Sequence, residues 1–173
     1  MKHIFFLTIL SSLLYACTDN ENRIYEEYMP IAQGVWAKED GKSFTFEIED
    51  TAQYYHIYYM LRNTIDYPYY NLYLNHLLCN EAGDTVSHKL QMMHLFDEKT
   101  GKPLGNEKFF SGGSMGDLFD HKFQSLIFFK FPAKGKYNFT ISEYMRSDDK
   151  EELQAIEGVF SIGCRVEKAG YTK

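Results

Sequence analysis

The sequence predicts an all-β protein, an antiparallel β-sandwich of jelly-roll or Ig-like type with one short helix, and three observations carry that reading. Aromatic residues are abundant, with 14 Tyr and 14 Phe among 173 residues, and such side chains suit half-buried strands. Seven strand-like runs appear, and in several of them apolar and polar residues alternate with a period of two. Turn signals separate those runs at short spacing, as they do in sandwiches.

Taken in order, Phe44, Phe46 and Ile48 alternate with Thr45, Glu47 and Glu49. Tyr55, Ile57, Tyr59 and Leu61 follow, then Tyr70, Leu72 and Leu74, then Val86, His88, Leu90 and Met92. Leu126–Phe131 comes next, before Tyr137, Phe139 and Ile141 and the final run Phe160, Ile162, Cys164 and Val166. Asp66-Tyr67-Pro68 can bend the chain after the second run, and Glu81-Ala82-Gly83-Asp84 after the third. Lys134-Gly135-Lys136 reads as a tight hairpin between two apolar runs. Asp148–Ile156 reads as the short helix, a corner before the last strand, with Asp148 and Asp149 suited to a helix N-terminus. Asp97–Lys122 carries Gly101, Gly105, Gly112, Gly113 and Gly116 and reads as a long irregular loop, of the kind that is often functional.

The N-terminus has the three-part order of an export signal: a basic start at Lys2-His3, an apolar run from Ile4, and a small residue at Ala16. The run is shorter than the ~20 residues that span a bilayer as a helix. Leu14-Tyr15-Ala16-Cys17 looks like a bacterial lipobox, with Tyr15 bulkier than the usual residue there. The expected organisation is therefore a lipoprotein signal peptide over 1–16, an acidic tether over 17–32 that begins at lipidated Cys17, one sandwich domain over 33–168, and a tail over 169–173. Acyl chains contribute ~0.8 kcal/mol per buried methylene, so several of them hold a protein on a bilayer without any apolar surface patch.

The formal net charge is −6, and loss of Lys2 with the leader makes it more negative. That balance, with no basic cluster anywhere, argues against nucleic acid or anionic lipid as partners. Chemistry is sparse. His88 and His94 are about 20 Å apart along one strand, too far to share a metal. No Cys or acid is spaced to complete a site with His56 and His76. Asp117 and His121 lie near Ser111 and Ser114, but without a nucleophile elbow. Gly112-Gly113-Ser114-Met115-Gly116 lacks the ending of a phosphate loop. No cofactor and no metal are expected, and the chain is read as a non-enzyme. Cys79 and Cys164 are a candidate disulfide in an exported protein, with two buried reduced thiols as the alternative. Tyr54, Tyr58, Tyr67, Tyr69, Tyr70 and Tyr73 offer an aromatic surface for a sugar or a protein.

The ordered pieces resemble the gliding-motility lipoprotein family called GldH. After Cys17 come Leu61-Arg62, then Asp66-Tyr67-Pro68-Tyr69-Tyr70-Asn71-Leu72-Tyr73-Leu74, then Gly83-Asp84-Thr85. Gly101-Lys102-Pro103-Leu104-Gly105 resembles the family's Gly-rich loop, although the Trp usual near Pro103 is missing and Asn106–Ser111 looks inserted. Phe131-Pro132-Ala133-Lys134-Gly135-Lys136-Tyr137, Tyr144-Met145-Arg146 and Gly163-Cys164-Arg165-Val166-Glu167 complete the set. The resemblance implies an envelope-anchored lipoprotein tied to gliding motility and the linked secretion apparatus, with a lipid bilayer and other envelope proteins as partners and no known reaction. The outer membrane is the expected location, with its periplasmic face preferred to the cell surface. A carbohydrate-binding lipoprotein that uses a Tyr-rich face is the alternative. Arg62, Tyr67, Pro68, Asn71 and Arg146 are the candidate structural or partner-binding residues. Arg62, Asn71 and Arg146 are read as organisers of corners, against a competing view in which the two Arg form a pocket for an acidic ligand. Thr51 and Thr85 sit in Asp-Thr-apolar triplets of the kind that exported proteins of gliding-type bacteria glycosylate on the hydroxyl.

Overall fold

The computed structural model describes residues 22–108 and 118–170. Its strands are β1 (Arg23–Pro30), β2 (Val35–Ala37), β3 (Lys42–Ile48), β4 (Tyr55–Thr64), β5 (Asn71–Asn80), β6 (Thr85–His94), β7 (Asn106–Lys108), β8 (Leu118–Phe129), β9 (Gly135–Glu143), β10 (Ala155–Glu157) and β11 (Val159–Lys168). They form a five-stranded sheet in the order β1-β11-β4-β8-β7, a four-stranded sheet in the order β3-β9-β5-β6, and a two-stranded ribbon of β10 and β2. Every pairing is antiparallel.

The inward sets of the two large sheets make the core. Tyr55, Ile57, Tyr59 and Leu61 of β4 are buried, as are Ile162, Cys164 and Val166 of β11. Phe44, Phe46 and Ile48 of β3, Leu72, Leu74 and Leu78 of β5, and Tyr137, Phe139 and Ile141 of β9 meet them from the other sheet. Phe131 packs its ring 4.9 Å from Phe129 and 5.3 Å from Tyr55, both edge to face, and 4.6 Å from Tyr137 at a tilt, a cluster that closes one end of the core.

Register gives the sandwich two distinct ends. At one, Arg23 lies opposite Glu167, Lys168 opposite Tyr55, and Tyr55 opposite Phe129. Asn22 joins the domain here, its carbonyl accepting from the Lys168 amide at 2.7 Å. At the far end, Pro30 lies opposite Ser161, Thr64 opposite Leu118, and Asn71 opposite His94.

Each of the seven runs seen in the sequence lies in a long strand or overlaps one, and several local readings are corrected. Arg23–Pro30, read as part of the acidic tether, is β1. Its Glu26 finds a partner on the neighbouring strand, with Arg165 at 3.0 Å. No helix forms over Asp148–Ile156. Lys150 adopts φ 65°, the Lys150 amide donates to Ser147 O, and the Leu153 amide donates to Met145 O. The segment doubles back as a tight turn and ends in β10, because the ladder to Met145 and the pairing of Ile156 with Trp36 satisfy more backbone than two isolated helical turns would. Lys134-Gly135 is not a hairpin within one sheet. It carries the chain from β8 in the five-stranded sheet to β9 in the four-stranded one. The Gly-rich region is partly regular: Asn106–Lys108 pairs with β8, and Leu118–Lys122 belongs to β8. Ser111, Gly112, Gly113, Ser114, Gly116 and Asp117 lie outside the described residues, as does Cys17.

Candidate functional site

An open groove of about 830 Å³ lies at the far end, between the start of β5 and the turn that follows β9. Two segments distant in sequence meet there. The first is Tyr67–Asn71. The Tyr67 hydroxyl donates to the Asn71 carbonyl at 2.8 Å, and its ring stacks on Phe96 and meets Tyr69 edge to face. The Tyr70 carbonyl accepts from both Leu95 and Phe96 amides, at 2.8 and 3.0 Å. Tyr67 is thus a buried peg, while Tyr69, Tyr70 and Tyr73 are left to line the groove. Pro68 is exposed beside the peg. Asn71 lines the groove too, and the carbonyl of its backbone, rather than its side chain, closes the turn.

The second segment is Tyr144-Met145-Arg146. The Tyr144 amide donates to Tyr73 O at 2.9 Å, and the Tyr73 amide donates to the Met145 sulfur at 3.3 Å, so the thioether takes the place of a ladder carbonyl. Buried Glu143 accepts from the Met145 amide at 2.8 Å, and burial pushes its carboxyl above the usual range. Arg146 donates to the Tyr144 hydroxyl at 2.8 Å and to Glu152 at 3.3 Å. Lys38 pairs with the same Glu152, and that hydrogen bond, ahead of the charge of Arg146, holds the Glu152 carboxyl below its ordinary value. The pairs pin the Tyr144 ring as one wall of the groove and leave the guanidinium facing solvent.

The groove runs onto a flat apolar face. Tyr73 pairs with Met92 and Asn75 with Leu90 across β5 and β6. Tyr73, Leu77, Leu90 and Met92 are all exposed, on the outer side of the sheet. Among the described residues β6 pairs only with β5, so its outer edge is open beside this face.

Arg62 is elsewhere. It lies on the outer side of the five-stranded sheet, stacked 3.9 Å over the Tyr28 ring and 3.5 Å from Asp120, which also accepts from the Tyr28 hydroxyl at 3.0 Å. Arg62 and Arg146 therefore share no pocket. Cys79 and Cys164 are both free thiols. Cys79 lies opposite exposed Asn138 on the outer side of one sheet, whereas Cys164 points into the core from the other. Thr51 sits in a bend before β4 and Thr85 is exposed at the start of β6.

A buried polar cluster escaped the sequence reading. His76 Nδ1 lies 2.6 Å from the Tyr59 hydroxyl and 2.9 Å from the Ser125 hydroxyl, and Nε2 lies 3.1 Å from Ser87. Tyr59 also donates to Gln91 at 3.1 Å. Burial lowers the His76 pKa to about 4. The Ser–His contact is sealed between the sheets, and the second ring nitrogen faces a hydroxyl instead of a carboxylate. Its polar groups are mutually satisfied across the two layers, so it reads as a structural tie between sheets. His56 and His76 stand in different sheets, and no cluster of three metal-ligating side chains occurs among the described residues.

The fold and groove together define a class of protein: a small all-β domain that presents an open aromatic groove and a flat sheet face. The chain belongs to the GldH lipoprotein family, whose profile matches residues 23–166. A relative from Christiangramia forsetii, named a gliding motility lipoprotein GldH homolog, is 30% identical over 165 residues, 95% of this chain and 94% of its own length. The protein of Flavobacterium johnsoniae named gliding motility lipoprotein GldH is 25% identical over 171 residues, 97% of this chain and 98% of its own. Lipoprotein character and the link to gliding motility come with that membership, and the family is not a known enzyme class.

Proposed function

We propose that this chain is a non-enzymatic docking component of an envelope motility or secretion assembly, held on the outer membrane by acylated Cys17 and facing the periplasm. The observation that supports it is the far-end surface itself. The groove brings together the Tyr-Pro-Tyr-x-Asn and Met-Arg segments, and it opens onto exposed Tyr73, Leu77, Leu90 and Met92 beside the outer edge of β6, which has no strand partner among the described residues. A flat apolar patch rimmed by charge, next to an open sheet edge, suits a protein partner that adds a strand or lays an apolar segment along the sheet. Tyr and Arg are the residues that most often anchor such interfaces. A sugar platform would need coplanar exposed rings. Tyr67, the ring that Tyr69 meets at this end, is buried and takes no part in such a platform.

Capture from detergent-solubilised membranes tests this reading, with the lipidated chain as bait. The parent chain retains a defined envelope protein, and a Tyr144→Ala, Arg146→Ala double variant loses it while melting at the parent temperature. Equal capture by both would refute the reading. Cys17→Ala tests the anchor separately: the chain leaves the membrane fraction or keeps its signal peptide. Modification of Thr51 and Thr85 by sugar adds mass beyond peptide plus lipid in the native protein.

A further inference from the structure

At the end where Asn22 joins the domain, three exposed apolar side chains form a continuous tip. Phe128 and Ile127 are the most exposed large apolar residues there, at 62% and 54%, and Tyr54 is 39% exposed. The Phe128 ring lies 4.8 Å from His56 and 6.5 Å from Tyr54, and Lys130 Nζ stands 5.7 Å over the Tyr54 ring. Isolated exposed apolar residues are ordinary, but this group is contiguous and specially built. Tyr55 pairs with Phe129 and Ile57 with Leu126, so Ile127 and Phe128 together face the single residue His56. That is a β-bulge, a device that re-aims side chains. Phe128 adopts φ 47°, a costly conformation for a bulky residue, held by its amide donating to His56 Nδ1 at 3.3 Å. The outcome of bulge and strain is that two successive apolar side chains are displayed outward.

The position of this tip says what it meets. The Lys168 amide donates to Asn22 O, and the next amide, of Ala169, donates to Tyr54 O, each at 2.7 Å. Hydrogen bonds thus run from Asn22 through β11 to Tyr54, and ring contact runs from there to Phe128. Cys17 is five residues before Asn22, which even at full extension is about 18 Å of chain. If Cys17 carries lipid, as proposed above and as this inference requires, Asn22 is held within that reach of the bilayer, and the tip lies beside it, two to three strand spacings or roughly 10–14 Å across the same end of the sheet.

We infer that Phe128, Ile127 and Tyr54 insert into the headgroup region of the membrane that holds the lipid anchor, with Lys130 at the phosphate level. Aromatic and aliphatic side chains with a neighbouring Lys are the composition of such interfacial contacts. The acyl chains supply the affinity; the tip supplies orientation. It stands the sandwich upright and holds the groove away from the bilayer by the length of β4, roughly 33 Å for a strand of that length.

The test uses the purified, lipidated full-length mature protein in phosphatidylcholine–phosphatidylglycerol vesicles, with Phe128→Trp and, as a second probe, Ile127→Trp. The native Trp36 is fully buried and gives a constant background. Brominated acyl chains should at least halve the added emission of either probe and leave Tyr70→Trp, at the far end, unchanged. Iodide in the aqueous phase should do the reverse. Protein that floats with the vesicles while both tip probes stay as open to iodide as the far-end probe would overturn the inference and leave the lipid anchor standing. Protein that fails to float would overturn both.

Discussion

Gly158 lies directly beneath the backbone of Tyr67: a Cβ at this position would stand 2.7 Å from Tyr67 Cα. Gly158 has φ 85°, its amide donates to Gly34 O, and its carbonyl accepts from the Thr64 amide, each at 2.9 Å. The bend between β10 and β11 thereby supports the turn that carries the groove tyrosines. Gly158→Ala combines a left-handed backbone with a backbone clash and should cost about 3 kcal/mol. Thermal melting of the variant checks this, and an unchanged melting temperature would mean that the two turns are not coupled.

The two arginines should separate. Arg62 is half-buried between Tyr28 and Asp120, so Arg62→Ala should lower stability by ~1–2 kcal/mol and leave partner capture intact. Arg146 is exposed at the groove, so Arg146→Ala should leave melting near the parent value and weaken capture. The reverse pattern would show that the partner uses the outer face of the five-stranded sheet instead.

Burial lowers the pKa of His76 and of His121 from 6.5 to about 4. Between those values the unfolded chain binds protons that the folded chain does not. Stability is therefore complete above pH 6.5 and is lost as pH falls towards 4, by about 3 kcal/mol for each histidine. Melting curves at about pH 7 and about pH 4.5, on either side of most of that window, read this directly. His76→Gln should shrink the difference between them, and a parent protein with a flat profile over that window would contradict the burial of both rings in neutral form.

The thiols should behave independently. Cys164 is fully buried, and burial holds its pKa well above the ordinary thiol range, whereas Cys79 is partly exposed. A small alkylating reagent should label Cys79 alone in the folded protein and both after unfolding without reductant. Labelling of neither in unreduced, unfolded protein would reveal a disulfide.

Much of this architecture was legible because most of the long strands carry alternation, and the core positions of β3, β4 and β9 follow from it. What was hidden has physical causes. In β1 the charges of Arg23, Glu26 and Glu27 break up the apolar pattern, and Arg165 meets Glu26 across the ladder, so the strand looked like a solvated tether. β2, β7 and β10 are three residues each, too short for any period to show. Asp148–Ile156 has helix-like composition, yet its ends are claimed by Met145 and Trp36. In β6 the alternation was visible but its sense was not. Leu90 and Met92 face outward, while Ser87 and Gln91 face in, because His76 and Tyr59 need polar partners there. The groove joins segments far apart in sequence, so Asn71 and Arg146 could be picked out singly while their shared surface could not.

The most direct measurement is site-specific photocrosslinking in intact cells, with a benzophenone side chain in place of Leu90 on the far-end face and, as a control, of Thr45 on the outer side of β3. Leu90 should give one discrete crosslinked envelope protein that disappears when Tyr144→Ala and Arg146→Ala are added, while Thr45 gives none. Equal crosslinking from both positions, or a Leu90 product indifferent to the groove substitutions, would contradict docking through this surface.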